Sequence, residues 1–165
     1  MTRESRLQRE LKQKRPFRSR AHEATVGLLR TADMVRREFA QVVEPRGITI
    51  QQFNVLRILR GAGQAGLPTL EIAERMIEET PGITRLLDRL EKKKLVRRKR
   101  CDADRRQVLC WISSEGLALL AALDDPVARR DASLLEALNE PALESLIHSL
   151  DAVRAGIQAK RNASK

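Results

Sequence analysis

The spacing of apolar residues changes from helical to alternating midway along the chain, and this change constrains the fold more than any other feature. Between residues 83 and 90 the apolar residues recur every three or four positions, which places them on one face of a helix. Residues 107–112 instead predict a strand, in which Val108, Cys110 and Ile112 share one face. A partner strand is predicted over 95–101, with the polar segment 102–106 as the hairpin tip. A helix is therefore followed directly by a two-stranded ribbon.

A short helix precedes this pattern and is separated from it by a tight break. The short helix is predicted over 70–76, with Thr69 as its N-cap. Its inward-facing residues are expected to be Leu70, Ala73 and Ile77. Thr80 is predicted to cap the next helix and Pro81 to occupy its first position, where a missing N–H costs nothing. This succession predicts a helix-turn-helix with the ribbon as its wing.

Longer helices are predicted on both sides of this region. Residues 21–44 carry apolar residues at spacings of three and four, and Thr49 is predicted to cap a further helix. After the ribbon, either Ser113 or Ser114 begins a long helical stretch, which Pro126 is expected to kink or restart. A last helix is predicted to open at Asn139. The fold class is therefore mainly α with a small β wing.

The positive charge is concentrated in two segments. The 165 residues carry a net charge of +10. Residues 1–20 hold eight basic and two acidic residues, and residues 80–110 hold eleven basic and four acidic residues. Such a balance predicts attraction to a polyanion, either nucleic acid or an anionic membrane. No run of about 18 apolar residues is present, the N-terminus has no apolar signal core, and two cysteines are too few for a disulfide framework. A cytoplasmic protein is expected.

Duplex DNA binding requires a helix that enters the major groove, groups that hold phosphates and a second contact that fixes the orientation. The predicted helix from Thr80 to Arg89 meets the first requirement. The helix N-termini at Thr69 and Thr80 meet the second. Arg105 and Arg106 at the wing tip could meet the third by entering a minor groove. These residues predict double-stranded DNA as a partner.

Four segments together resemble the MarR family of bacterial transcriptional regulators. They are 83–91, 95–98, 102–106 and 112–116, which read ITRLLDRLE, LVRR, DADRR and ISSEG. The resemblance extends from about Ala21 to Ala159, which is nearly everything beyond the basic segment 1–20. One departure is Lys94, which stands where the family usually has glycine.

The resemblance implies a winged helix-turn-helix lobe with N- and C-terminal dimerisation helices. The corresponding domain covers 21–160, with the lobe at about 48–113 and the dimerisation helices at 21–44 and 114–160. Residues 1–20 would be a flexible basic arm and 161–165 a tail. The resemblance also implies a homodimer on a pseudo-palindromic promoter site, more often as a repressor, and leaves a small-molecule effector open.

The resemblance and the residue chemistry together define a candidate site. The predicted DNA-binding residues are Thr69, Thr80, Gly82, Thr84, Arg85, Arg89, Arg98, Arg105 and Arg106. Asp102 and Asp104 are expected to brace the wing. No catalytic residue, metal site or cofactor is predicted, because the sequence offers no nucleophile–base pair, phosphate loop or ligand cluster. Cys110 is interpreted as a small buried apolar residue.

Two other functional classes remain open at this point. A basic helical module could coat nucleic acid without sequence preference or dock a protein partner, and composition alone does not exclude it. A module that mainly senses a ligand, with DNA contact secondary, is also compatible with the sequence. Discrimination between an operator and competitor DNA separates the regulator from the non-specific module.

Overall fold

The computed structural model describes residues 5–79, 81–101, 104 and 106–164. Its helices are α1 (Arg6–Glu10), α2 (Arg20–Val43), α3 (Ile50–Ala62), α4 (Thr69–Arg75), α5 (Ile83–Lys92), α6 (Ser114–Leu135) and α7 (Glu140–Ala163). Its strands are β1 (Leu67–Pro68), β2 (Val96–Arg100) and β3 (Val108–Ile112), and short 3₁₀ turns lie at Glu44–Arg46 and Gly63–Ala65. The predicted mainly α class with a small β wing is confirmed.

The chain forms two compact units, one ending at Val127 and the other beginning at Ala128. The apolar core lies in the first unit, where α3, α4, α5, α6 and the sheet supply fully buried side chains. Those side chains include Leu56, Leu59, Ile72, Leu87, Leu90, Val96, Cys110 and Leu120. Nearly all are aliphatic, so close packing of branched side chains, rather than aromatic stacking, holds the lobe together.

The sheet is antiparallel with the order β1-β3-β2. In β2 and β3, Arg98 lies opposite Cys110 and Val96 lies opposite Ile112. The inward face predicted for β3 is confirmed, since Cys110 and Ile112 are buried and Val108 packs against the core. The sequence did not predict β1, because two residues are too few to show a period.

Side-chain caps fix the starts of the long helices. The Thr49 side chain accepts from the backbone of Gln52, whose own side chain accepts in return from Thr49. Of the two serines considered, Ser113 is the cap of α6, because its Oγ accepts from the Gly116 N–H at 3.0 Å. Asn139 caps α7 as predicted. Pro126 lies inside α6, which continues to Leu135, so the helix does not restart there, and the alternative, a kink at Pro126, stays a prediction.

Two predictions about α4 are wrong. Its N-cap is Pro68 rather than Thr69. Its buried residue is Ile72, whereas Leu70 is 72% exposed and Ile77 is 84% exposed. A helix of seven residues makes only two turns, so its few apolar positions fit more than one helical phase.

The basic N-terminal segment contains one short helix, α1. Ser5 caps α1, and the Leu7 side chain lies against the backbone of Gly27 in α2. In the second unit, α7 has no buried residue. Within the described ranges, no helix is long and apolar enough to cross a membrane.

Candidate nucleic-acid interface

Helix α5 is amphipathic, with a buried apolar face and an exposed polar face. Leu87 and Leu90 are fully buried, whereas Thr84, Arg85 and Arg89 are exposed. Within the described part of the chain, the structure gives neither guanidinium a carboxylate partner. Both arginines are therefore available to an external anion.

The helix begins later than predicted, and a glycine sets its start. The N-cap of α5 is Gly82, with φ +88° in the left-handed region, and Ile83 is the first helical residue. Pro81 lies in the preceding turn, so its predicted place in the first helical turn is wrong. Thr80 lies outside the described residues. Only glycine adopts this conformation readily, and this requirement rather than a side-chain cap determines where the helix starts.

Arg98 on β2 points to α5. Its Nη2 donates to Asp88 Oδ1 at 2.6 Å and to Glu91 Oε2 at 2.6 Å, and its Nε donates to the same Glu91 oxygen at 2.9 Å. The hydrogen bond to Glu91 raises the pKa of Arg98, against the opposing effect of burial. Arg98 was predicted to contact DNA, but its guanidinium is occupied by two carboxylates of α5.

A Schellman turn joins α5 to β2. The Lys94 N–H donates to the Glu91 carbonyl at 2.8 Å and the Leu95 N–H donates to the Leu90 carbonyl at 3.0 Å. Lys94 has φ +59°, the conformation for which a glycine is usual at this point of a helix end. The buried Leu90 and Leu95 complete the motif, and Ser113 Oγ donates to the Lys94 carbonyl at 2.7 Å. The departure from glycine therefore leaves the turn intact.

The wing tip is described in part. Asp104 accepts from the Arg106 N–H at 3.0 Å and from Gln107 Nε2 at 3.2 Å, which is the geometry that a bracing residue requires. Arg106 is exposed. Asp102 and Arg105 lie outside the described residues, so their predicted roles stay predictions.

Thr69 has a different environment from the one predicted. Its Oγ1 donates to the Val108 carbonyl at 3.4 Å and lies 3.8 Å from Cys110 Sγ. The hydroxyl therefore joins α4 to β3, and the residue is partly buried. A DNA contact at this residue stays a prediction.

The structure thus brings Thr84, Arg85 and Arg89 onto one exposed face of α5, with Gly82 at its start. The sequence missed the roles of Asp88 and Glu91. Their spacing of three residues places both carboxylates on one side of the helix, which was the available signal. Their shared partner comes from another element and could not be identified from that spacing.

Comparisons with known proteins agree with this architecture. The MarR family pattern matches residues 48–108. A MarR transcription factor from Planctomyces limnophilus, solved by crystallography, is 35% identical with a TM-score of 0.64, and the match covers 83% of this chain and 99% of that chain. A crystal structure of a MarR mutant from E. coli complexed with operator DNA is 26% identical with a TM-score of 0.70, over 76% of this chain and 89% of that one.

A curated relative gives the same assignment. The HTH-type transcriptional regulator FarR from Neisseria gonorrhoeae is 28% identical over 123 residues, which are 74% of this chain and 83% of that protein. The winged lobe, the family pattern within it and a 35% identical relative matched over nearly its whole length agree. The chain therefore belongs to the MarR family of DNA-binding transcriptional regulators.

Proposed function

We propose that this regulator binds a pseudo-palindromic promoter site as a homodimer and represses transcription there. The observation that carries the proposal is the exposed face of α5, where Thr84, Arg85 and Arg89 stand free beside a wing. Arginine and threonine are residue types that read base edges in the major groove. Such groups exposed on one face of a helix whose opposite face is buried support sequence-specific reading rather than non-specific coating of DNA.

The proposed dimer is supported by apolar residues without partners in the second unit. Leu146, Ile147, Val153 and Ile157 on α7 are exposed, and none of the helix's residues is buried. An isolated helix with an exposed apolar stripe is stable only when the stripe is covered. A second copy of the chain is the proposed cover, and in a twofold dimer the same stripe serves both partners.

Repression and release follow from the proposed dimer. Two α5 helices that read successive major grooves are separated by one DNA turn, roughly 34–36 Å. A bound dimer would occupy the promoter and exclude polymerase. A small ligand that changes the separation of the two helices would release the DNA, because both half-sites can be occupied only at the matching spacing.

The test of specificity uses the full-length protein. A duplex selected from a random pool by the wild-type protein is titrated in fluorescence anisotropy against a scrambled competitor. Arg85→Ala is expected to weaken operator binding by about tenfold to a hundredfold, the effect of losing one bidentate base contact. The matched control is Arg60→Ala on α3, which removes the same charge from a side chain paired with Asp124.

Two results would contradict the proposal. Equal binding of the wild-type protein to the selected and scrambled duplexes would favour the non-specific module. An Arg85→Ala affinity equal to that of the Arg60→Ala control would remove α5 as the reader. For the dimer, sedimentation should give two chains for the wild type and one for Leu146→Glu combined with Ile157→Glu; a wild-type monomer would refute that part.

A further inference from the structure

Two acidic residues lie on the helix that is proposed to approach a polyanion. Asp88 falls within the face that carries Thr84 and Arg85, one turn further along α5, and Glu91 follows it on the same side. Unpaired carboxylates at these positions would repel phosphates. A nearby cation is therefore needed to neutralise their negative charge, and in the structure this cation is Arg98.

The Arg98 guanidinium is the most enclosed part of this cluster. Its side chain is 20% exposed, compared with 44% for Asp88 and 41% for Glu91. Three hydrogen bonds of 2.6 to 2.9 Å direct it to α5. Arginine's planar fork fixes both distance and orientation when it bridges carboxylates.

The contacts of Arg98 with Asp88 and Glu91 connect α5 to the wing, the two elements proposed to contact DNA. Arg98 belongs to β2, the first wing strand, and its carboxylate partners belong to α5. On the other side of the helix, Leu87 and Leu90 hold α5 by apolar contacts, which are non-directional. The apolar contacts alone would therefore let α5 rotate. Arg98 restricts this rotation, because it contacts Asp88 and Glu91, which lie about one helical turn apart.

We infer that Arg98 is a positioning residue that fixes the recognition helix against the wing, rather than a residue that contacts DNA. This inference rests on the proposed role of α5 as the reader of base edges. With the angle fixed before binding, both elements meet their grooves without an ordering cost at the moment of association. Asp88 and Glu91 are then required for tight binding, although both are acidic.

The opposite reading makes an opposite prediction. If Arg98 holds a phosphate, then removing Asp88 and Glu91 frees the guanidinium, removes two negative charges and strengthens binding to every duplex. If Arg98 is a positioning residue, the same removal weakens binding to the operator. The two readings therefore differ in the sign of one measurement.

The experiment is a mutant cycle on the selected operator. Arg98→Met, the double variant Asp88→Ala/Glu91→Ala and the combined triple variant are compared with the wild type by anisotropy. We expect the first two to lose about tenfold in operator affinity, as for the loss of one charge-assisted contact. The triple variant should be no weaker than either, because the bridge is already absent.

The ratio of operator to scrambled-duplex affinity gives a second readout. Loss of a phosphate contact lowers both affinities about equally and keeps the ratio. Loss of the fixed helix angle lowers mainly the operator affinity, so the ratio should fall by about the same tenfold. The matched control is Arg60→Met with Asp124→Ala, which removes another bidentate pair of the same lobe; both the affinity and the ratio should stay unchanged.

The double variant keeps the test informative if Arg98→Met fails to fold. Alanine favours helix at both positions, so α5 should persist, as circular dichroism and the melting temperature will show. Tighter or unchanged operator binding by the double variant would overturn the inference. A further loss of affinity when Arg98→Met is added to it would do the same. A wild-type protein without operator preference would instead refute the proposed function.

Discussion

Replacing Lys94 by glycine should stabilise the lobe, and the structure gives the reason. Lys94 has φ +59°, where the Cβ of an L-residue crowds the following carbonyl at a cost of roughly 1–2 kcal/mol. Glycine avoids that cost but adds freedom to the unfolded chain, which offsets about 0.4–1 kcal/mol. The net gain in the free energy of unfolding should be about 0.5–1 kcal/mol.

Lys94→Ala is the control that isolates the cause. It removes the same charge and the same side chain but keeps the Cβ, so its free energy of unfolding should stay near the wild-type value. The Lys94→Gly gain should correspond to a rise of roughly 2 °C in melting temperature for a chain of this length.

Urea unfolding followed by Trp111 fluorescence is the appropriate assay. Trp111 is the only tryptophan of the chain and lies on β3, so it reports on the lobe that contains Lys94. The protomer concentration must be held constant, because a dimer's apparent stability depends on it. Equal stabilisation by Lys94→Ala and Lys94→Gly would show that charge, rather than backbone conformation, is responsible and would refute the reasoning.

Three further predictions concern stability, thiol reactivity and pH. At Gly66 a Cβ would overlap the Trp111 indole and lie 2.9 Å from the Cys110 carbonyl oxygen, so Gly66→Ala should lower the free energy of unfolding by about 1–3 kcal/mol; Gly61→Ala, with no atom within 4 Å, should cost nothing in the same urea assay. Burial raises the pKa of the Cys110 thiol, so a thiol reagent at pH 8 should modify it only after unfolding, and equal rates in the native and unfolded protein would contradict this. The hydrogen bond from Arg60 lowers the pKa of Asp124, so its contribution is present above the carboxyl's ordinary pKa and is lost as the pH falls through the lowered value; the melting-temperature difference between wild type and Asp124→Asn should therefore be larger at pH 7 than at pH 3.

The sequence predicted those elements whose apolar period extends over enough residues to define a face. The buried side of α5 and the inward face of β3 are of this kind, and both are confirmed. The start of α5 was wrong, because a threonine and a proline there resemble a cap, whereas the chain uses the left-handed conformation of Gly82. Local propensity favours several starts for a helix, and tertiary packing selects among them.

The role of Arg98 was beyond sequence reasoning for a different reason. A basic residue in a basic segment is indistinguishable by composition from its neighbours, since nine cationic and two acidic residues lie between positions 83 and 100. What separates Arg98 from them is the pair of carboxylates that it meets across an element boundary. Such contacts depend on the packing of β2 against α5, and the packing depends on the whole core.

The positions of Asp88 and Glu91 separate the cations of this segment into one that is paired within the lobe and others that stay exposed. A segment with nine cations could approach DNA in many orientations, because phosphate attraction alone is not directional and carries no sequence information. Asp88 and Glu91 bind one of these cations and turn it into a fixed contact between helix and wing, while Arg85 and Arg89 stay exposed. Specific reading requires the exposed Arg85 and Arg89 to be held at a defined angle. The contact of Arg98 with Asp88 and Glu91 fixes that angle. A variant that made the segment more basic by removing the two acids should therefore bind DNA in general at least as well and its operator less well.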